Sequence, residues 1–317
     1  MSEGAKGYLN LFLAVFLAAL ATPVVKWLVE HGGRLGLSNP GAISYCNVLF
    51  VGNLLAGAVV LFHTSPRRML AELRRCRTAC KLYLAASIAV AGALVPVAMY
   101  YAIESTSIAN LLLLTRVEAV AFTALAVLLF GDAVTRMNWI GLGVIVAGSV
   151  VLSLWQGGGR VSGGDALALL TGVLYACGSI LARYALRDVS MPTFLFARNL
   201  VGAIVFFVIA LVLYGPHHFG DAFAGELWVA MAVYATTVVV LGQVTWFQAL
   251  AALPSGTVSA WYATTPVVGI AIAHALLNER PDLSQWVGMA IIVGGVLLSQ
   301  LGTRSEPRAI DRSIAAG

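Results

Sequence analysis

The stretch WVGMAIIVGGVLLS at residues 286–299 decides the fold, because the chain carries it twice. Residues 139–152 read WIGLGVIVAGSVVL, and the two stretches align without a gap at a shift of 147 residues. A Trp, two Gly, an Ile and a Val recur in this register, as Trp139, Gly141, Gly148, Ile145 and Val146 in the first stretch. Self-similarity of this kind indicates a protein built from two similar halves.

The repeat extends along most of the chain. Asp132 aligns with Glu279 at the same shift, and Asn47 aligns with Asn199 at a shift of 152. The second half therefore restates the first with about ten fewer connector residues. We divide the chain into a first five-helix repeat at 1–155, a Gly-rich inter-repeat loop at 156–164, a second five-helix repeat at 165–301 and a tail at 302–317.

Composition indicates that the bilayer surrounds these helices. Of the 317 residues, 60% are hydrophobic and 10% are charged, and the mean hydropathy is +0.90. A membrane span needs ~20 largely apolar residues. The sequence predicts an all-α integral membrane protein with ten transmembrane helices, at 8–29, 43–62, 82–102, 108–130, 137–155, 165–186, 192–214, 226–249, 257–277 and 283–301.

The first of these spans has an alternative interpretation as a signal peptide. Lys6 precedes it, and the small residues Ala19 and Ala21 imitate a cleavage site. The apolar run continues past that site and has a counterpart at 165–186. Both observations favour a retained helix.

An odd number of spans in each repeat determines how the halves are related. Two repeats of five spans enter the membrane in opposite directions, which gives inverted repeats related by an axis in the membrane plane. Such a pair has two nearly equivalent packings, each open to one side. The sequence therefore predicts alternating access around a site near the midplane.

Basic residues outside the spans predict the orientation. Twelve fall on one side, namely Lys6, Arg67, Arg68, Arg74, Arg75, Arg77, Lys81, Arg136, Arg187, Arg304, Arg308 and Arg312. The other side has three, Arg34, Arg160 and Arg280. Because cytoplasmic loops carry the excess of Lys and Arg, we expect both termini in the cytoplasm and the protein in the inner (plasma) membrane.

The second repeat resembles a known family at residues 249–299, with a Pro within a helix, an acidic residue after it and a Gly-rich helix following. This pattern is similar to that of the ten-helix EamA-like family of the drug/metabolite transporter (DMT) superfamily. The resemblance covers about 7–301 and implies export or exchange of small metabolites by secondary transport. The first repeat departs from the pattern, since Ala119 and Glu118 stand where the second has Pro266 and Thr265.

Glu118 is the strongest candidate for a substrate-binding or coupling-ion residue. An ionised group at the bilayer centre costs about 2.5–3.5 kcal/mol on insertion scales, so such residues usually face a cavity or a partner. We expect Glu118 to act as a proton site or as a counter-ion for an ammonium group, with a structural ion pair as the alternative. Arg116, two residues earlier, points about 200° away on a regular helix and needs another partner.

Further polar candidates lie in the second and seventh spans. Arg198 stands where the first repeat has Cys46, and it could bind a substrate carboxylate or neutralise Glu118. Its neighbour Asn199 and the repeat counterpart Asn47 are candidates as well. Arg183, near the end of the sixth span, is expected to extend its side chain to the membrane interface.

Aromatic and amide side chains supply the remaining candidates. A cavity that combines aromatic rings with an acid binds organic cations or amino acids through cation–π contacts and a carboxylate. Interfacial anchoring is the alternative interpretation of the Trp and Tyr residues. The candidates of this group are Tyr175, Gln243, Trp246, Trp261, Tyr262 and Thr265.

Motifs for catalysis or metal binding give little support to other functions. The glycines at 157–164 lack the Lys-Ser/Thr of a phosphate loop, and Cys76 and Cys80 lie four residues apart without the spacing of a metal or redox site. We expect no enzymatic activity, no cofactor, no metal and no nucleic-acid partner. Small-residue pairs in the fifth and tenth spans, Gly143 with Ala147 and Ala290 with Gly294, indicate close helix packing and leave a homodimer open.

The sequence therefore predicts a secondary active transporter, an exporter or exchanger of amino acids or related amphipathic compounds. Its expected partners are a small-molecule substrate, membrane lipids and a proton as coupling ion. Uptake of quaternary amines or other organic cations is the alternative within transport. A membrane-embedded lipid-modifying enzyme or a sensor is the alternative of another class.

Overall fold

A computed structural model describes residues 3–31, 45–105, 111, 114–156, 162–217, 219, 225–277 and 283–301. These residues form helices joined by turns, with no strand among them. The all-helical class predicted from composition is therefore confirmed. Residues 157–161 of the predicted inter-repeat loop at 156–164 and the tail at 302–317 lie outside the described residues, and the domain boundaries stay a prediction.

The helices follow the order of the predicted spans, and several spans consist of two pieces. The described part of the first half contains α1 Glu3–His31, α2 Tyr45–His63, α3 Pro66–Arg75, α4 Thr78–Ala89, α5 Val95–Ser105, α6 Val117–Phe130 and α7 Arg136–Gln156. The described part of the second half contains α8 Gly163–Ala185, α9 Met191–Tyr214, α10 Gly225–Tyr234, α11 Gly242–Ala252, α12 Ser255–Tyr262, α13 Thr265–Leu277 and α14 Leu283–Gln300.

Length and composition qualify several of these segments as membrane spans on their own. Five are long and apolar enough, at Gly4–Val25, Thr78–Met99, Gly163–Ala185, Met191–Tyr214 and Leu227–Ala252. Shorter apolar helices stand at three other predicted spans, at Val117–Phe130, Arg136–Val151 and Trp286–Ser299. A helix broken near the middle of the membrane is measured as two short ones, which explains the short helix in the fourth span.

Local sequence explains where two of the helices begin and end. Gly131 ends α6 with a left-handed φ of 63°, a conformation that glycine adopts without steric cost. Ser162 caps α8, because its hydroxyl accepts from the Asp165 backbone N–H while the Asp165 carboxylate accepts from the Ser162 N–H. This reciprocal pair satisfies two backbone donors that the helix itself leaves free. The helix accordingly begins at Gly163, two residues before the predicted span.

The two halves share their irregularities as well as their helices. A wide π turn at Val90–Leu94 joins α4 to α5, and a second at Ala235–Leu241 joins α10 to α11. Shifting the first turn by 147 residues places it on 237–241, inside the second. Turns of this kind are rare in helices and often mark functional segments. Both copies of the repeat therefore have a π turn at equivalent positions.

The fifth spans of the two halves, α7 and α14, pack against each other through glycines other than the expected ones. A Cβ added to Gly141 would lie 2.4 Å from the Gly295 carbonyl oxygen, so the two backbones are nearly in contact. Asn138 Nδ2 donates across the same contact to the Ser299 carbonyl (2.9 Å) and hydroxyl (2.8 Å). Gly143 and Ala147 do not form the expected close contact with another helix of this chain, since both are exposed and nothing lies within 4 Å of a Cβ on Gly143.

Residues 63–81, which lie between the second and third predicted spans, contain the short helix α3. Pro66 stands in its first turn, where a missing N–H costs no hydrogen bond. The axis of α3 is turned 96° from that of α2. Just after α3, Cys76 and Cys80 form a disulfide, a pairing that their spacing did not predict.

Candidate functional site

Two helices of the protein are broken at matching places, one in each half. The fourth span has a turn at Thr115–Arg116 before α6 begins, and the ninth has a turn at Ala263–Thr264 between α12 and α13. In the register of the repeat, the two turns lie within one residue of each other. Discontinuous helices near the midplane commonly form the binding site of inverted-repeat transporters, because their unpaired backbone groups face inward.

The break in the ninth span follows from its proline. Pro266 has no N–H, so it cannot donate to the carbonyl of Tyr262 four residues earlier. The hydroxyl of Thr265 donates to this carbonyl instead. Arg116 adds a second donor from the other half, with its Nη1 at 3.4 Å from the Tyr262 oxygen. The chain thus satisfies an acceptor that the proline leaves without a backbone partner.

Arg116 holds this position because its side chain is buried between the two breaks. It is only 8% exposed, and its Nη2 donates to the Thr115 hydroxyl at 3.2 Å. Arg116 and Glu118 line one pocket, although a regular helix would point them about 200° apart. The rotation of about 100° per residue holds only in a continuous helix. The turn at Thr115–Arg116 removes that constraint.

The pocket between the broken helices contains the predicted acid. It is lined by Arg116, Glu118, Ala119, Phe122, Trp246, Ser259, Tyr262 and Ala263. Glu118 is the only acidic side chain among them. The cavity volume of about 10 Å³ has room for roughly one water molecule. In this conformation the site is too small for a larger ligand, which requires the surrounding helices to separate.

Aromatic rings form part of the pocket wall. The rings of Trp246 and Tyr262 lie 4.3 Å apart between centroids, tilted by 47°. Phe122 approaches Trp246 at 6.5 Å. Below them, the Thr123 hydroxyl donates to the Ser259 hydroxyl at 3.0 Å and joins α6 to α12. This wall presents aromatic faces next to a carboxylate, the combination that attracts organic cations.

Other predicted residues surround the pocket without lining it. Tyr175 of α8 interacts electrostatically with Glu118, Arg116 and Arg198, so these groups share one region of the protein. On α9, Asn199 is fully buried and its Nδ2 donates to Gln243 Oε1 at 3.4 Å. The Asn199 Oδ1 accepts no hydrogen bond from the described residues.

Three candidates stand apart from the pocket. Trp261 is 40% exposed and faces outward, although it is the neighbour of Tyr262 in sequence. Thr265 supports the break through the Tyr262 carbonyl and does not line the cavity. Asn47 is fully buried in the first turns of α2. The pocket therefore selects Glu118, Arg116, Trp246 and Tyr262 from the predicted set.

Arg183 does not reach for the membrane interface as expected. It is 4% exposed and forms an ion pair with Asp132, with Nη1 and Oδ2 3.2 Å apart. Its guanidinium also lies 4.1 Å from the centre of the Phe130 ring. The ion pair joins the end of α6 to the end of α8, and thus one half to the other. Burial of Arg183 explains the difference, because a buried arginine requires a counter-charge.

Sequence reasoning missed several contacts because they join distant parts of the chain. Ser259 carries no sign of its role except that it lies one helical turn before Tyr262 and Ala263. The pair of Asp132 and Arg183 had a visible signal, since both stand at predicted helix ends on the same side. A search for opposite charges at the ends of predicted spans on the same side of the membrane would have identified this ion pair.

Comparison with known proteins finds similar sequences and a similar fold. The sequence profile of the EamA-like transporter family matches residues 5–154 and again 162–301. The uncharacterized transporter sll1164 of Synechocystis sp. is 29% identical over 297 residues, which cover 91% of this chain and 85% of that protein. A solved crystal structure superimposes with a TM-score of 0.66 at 16% identity, over 94% of this chain and 97% of the other. That last likeness concerns the fold alone.

Proposed function

Because the chain belongs to the EamA-like transporter family, a ten-helix membrane fold with an internal repeat, we propose that it exports or exchanges amino acids or related small amphipathic metabolites by alternating access. We place it in the inner membrane with both termini in the cytoplasm, in line with the distribution of basic residues. The pocket between the broken helices is the proposed substrate site. Its combination of Glu118 with an aromatic wall is the observation that carries the proposal.

An ammonium group fits this pocket better than an anion does. The Glu118 carboxylate supplies a counter-charge, and the Trp246 and Tyr262 rings supply negative faces close by. Cation–π contacts contribute about 2 kcal/mol when they are desolvated. Arg116 lines the same pocket, and its Nη1 and Nη2 donate to the Tyr262 carbonyl and the Thr115 hydroxyl.

The opposite end of an amino acid requires a positive group. Arg198 serves this purpose in the proposal, since it belongs to the same electrostatic group as Tyr175 and lies beside Asn199 on α9. The buried Asn199 Oδ1 is an acceptor for a substrate N–H. A substrate that bridges Glu118 and Arg198 would draw α9 toward α6. Zwitterions do this more effectively than cations alone.

The closed pocket supports a cycle in which one side opens at a time. Room for about one water excludes an amino acid from this conformation, so loading requires movement. The Asp132–Arg183 pair joins the two halves at one end of the bundle and is the proposed closure there. In the repeat, Lys26 and Glu279 occupy the equivalent sequence positions with the same charges. The side chain of Lys26 and residue Glu279 lie outside the described residues.

Uptake of a quaternary amine is the second candidate function. It is favoured by the three rings of Phe122, Trp246 and Tyr262 around one acid, because aromatic cages recognise quaternary ammonium groups. The two candidates differ in Arg198, which only a substrate with a carboxylate would need.

The test is counterflow in liposomes with purified protein. We expect exchange of at least one labelled amino acid, faster when a pH gradient is applied if Glu118 exchanges a proton. Glu118→Gln keeps the shape of the side chain and should lower exchange by at least about tenfold, the loss of about 1.4 kcal/mol of interaction. Trp246→Leu should weaken substrate affinity, whereas Trp261→Leu should not.

Several results would overturn this proposal. Glu118→Gln with the wild-type rate and unchanged pH dependence would remove Glu118 from the site. Exchange of choline but of no amino acid, insensitive to Arg198→Gln, would select the second candidate. A covalently altered product in place of exchange would indicate an enzyme.

A further inference from the structure

The short helix α3 has an orientation unlike that of the spans around it. It is turned 96° from α2, so it runs along the membrane surface where α2 crosses the bilayer. Four of its ten residues are Arg, at 67, 68, 74 and 75, and Glu72 is its only acid. Amphipathic helices with basic polar faces that lie in the interface plane are typical membrane-binding elements.

The two faces of α3 differ in what they contact. Met69 is buried and Leu73 packs beside it against the central core of the protein. Leu70, by contrast, is 50% exposed. At about 100° per residue, Arg67 and Arg74 lie within about 60° of Leu70 around the helix. Both arginines are exposed, so α3 presents an apolar side chain flanked by two cations.

Glu72 fixes α3 to the start of α9. Its Oε2 accepts from the hydroxyls of Ser190 (2.6 Å) and Thr193 (2.7 Å) and from the Ser190 backbone N–H (3.3 Å). The Arg68 Nε donates to Oε1 at 3.3 Å. Burial opposes ionisation, but these hydrogen bonds together lower the pKa of Glu72 below its usual value. The anchor therefore stays charged and holds the basic face outward.

We propose that α3 is a docking surface for the headgroups of anionic phospholipids. Arg67 and Arg74 are exposed on the face that Leu70 occupies, about 140–160° around the helix from Glu72, while Leu70 enters the interface among the lipids. The bilayer supplies this partner at the height at which α3 lies. A free phosphate has no apolar part to contact Leu70.

The surface belongs to one side of the protein only. In the second half, residues 215–224 follow α9 as residues 64–77 follow α2, and they contain no Lys or Arg. Anionic lipid is therefore bound next to Ser190 and Thr193, where α9 begins, and not at the other end of α9. Because α9 carries Arg198 about two turns further on, the lipid contact stabilises the helix end nearest to that residue.

The test is a titration of purified protein in detergent with short-chain phosphatidylglycerol. The unfolding temperature is measured at each lipid concentration. The same titration with phosphatidylcholine of equal chain length and with inorganic phosphate provides the comparison. We expect phosphatidylglycerol alone to raise the unfolding temperature. Each arginine near the surface contributes about fivefold in affinity, so Arg67→Gln with Arg74→Gln should weaken it by about 25-fold.

Two matched variants separate lipid recognition from folding and from general charge. Arg67→Lys with Arg74→Lys keeps the charges and should keep the response. Lys6→Gln with Arg136→Gln removes two exposed charges elsewhere and should change the affinity by less than about threefold. An equal response to phosphatidylcholine, a response to inorganic phosphate of the same size, or an unchanged affinity of the Gln pair would each overturn the proposal. None of these readouts depends on the transported substrate.

Discussion

The two broken helices have the same geometry and different causes. In the ninth span, Pro266 removes a backbone donor and Thr265 and Arg116 satisfy the acceptor left behind. In the fourth span there is no proline, and the turn at Thr115–Arg116 occurs among apolar residues of good helix propensity. Both repeats thus have a broken helix, although only the second has a proline at the break. The other copy is free to place charges at the equivalent position.

The cause of the fourth-span break lies in its neighbours. Gly172 of α8 lets two backbones approach, because a Cβ there would stand 2.6 Å from the Thr115 carbonyl oxygen and 2.6 Å from Val117 Cγ1. The repeat counterpart of Gly172 is Val15, which carries the side chain that Gly172 lacks. One break is therefore built by local chemistry and the other by packing between helices.

Replacement of Arg116 should have the largest effect, because this side chain serves both breaks. Arg116→Met should lower the free energy of unfolding by about 3–5 kcal/mol, since it leaves Glu118 buried without its nearby cation. Resistance to unfolding by SDS measures the loss. A double variant that adds Glu118→Gln should recover part of it, and a simple sum of the two losses would contradict the pairing.

The glycine beside the fourth-span break should be the next most sensitive position. Gly172→Ala should cost about 1–3 kcal/mol, because the backbone at Thr115 cannot move away as a flexible side chain would. Gly269→Ala, beside the ninth-span break, is the matched control. Its Cβ would lie at an ordinary 3.5 Å from the Ala19 carbonyl oxygen, so it should be tolerated. Equal unfolding temperatures for the two variants would show that packing does not build the first break.

A proline placed at Ala119, the first-repeat counterpart of Pro266, tests whether the fourth span is broken at this position. Ala119→Pro removes one bond, from the Ala119 N–H to the Arg116 carbonyl at 3.0 Å, in the first turn of α6. It should therefore cost only about 1 kcal/mol. Ala126→Pro, in the middle of the same helix, should cost about 3 kcal/mol or more. If both prolines destabilise equally, α6 is continuous with the residues before Thr115 and the break is absent.

Loss of the Thr265 hydroxyl should have the smallest effect. Thr265→Val leaves the Tyr262 carbonyl with Arg116 as donor, and hydrogen bonds within membranes contribute about 0.6 kcal/mol on average. Thr265→Val in an Arg116→Met protein should cost more, because the Tyr262 carbonyl then loses both of these side-chain donors. A double-mutant cycle on the unfolding free energy gives the coupling between them.

Sequence sufficed for the features that depend on periodicity and composition. Apolar length predicted the spans, and the Trp and Gly positions of the fifth and tenth spans revealed the repeat. Glu118 was identified because a charge in an apolar helix requires a reason. These signals are local, or repeat at a fixed shift, and need no knowledge of which helices touch.

The features that sequence missed depend on contacts between distant residues. The direction of the Arg116 side chain follows from a break in the fourth span. No residue in the stretch LLLLTRVEAV at 111–120 predicts this break. Arg183 was assigned to the interface because its partner Asp132 lies 51 residues away. The helix α3 was taken for a loop because a ten-residue basic segment is too short and too charged to resemble a span. Each case required the position of a second helix.

The close contact of Gly141 with Gly295 has a consequence for how the halves can move. It joins α7 to α14, which are the same element of the two repeats and run side by side in opposite directions. An exchange of conformations between inverted halves maps this pair of helices onto itself. The contact can therefore persist unchanged while everything around it rearranges. In the proposed alternating-access cycle this contact is the pivot, and the movement of the other helices should be measured against it.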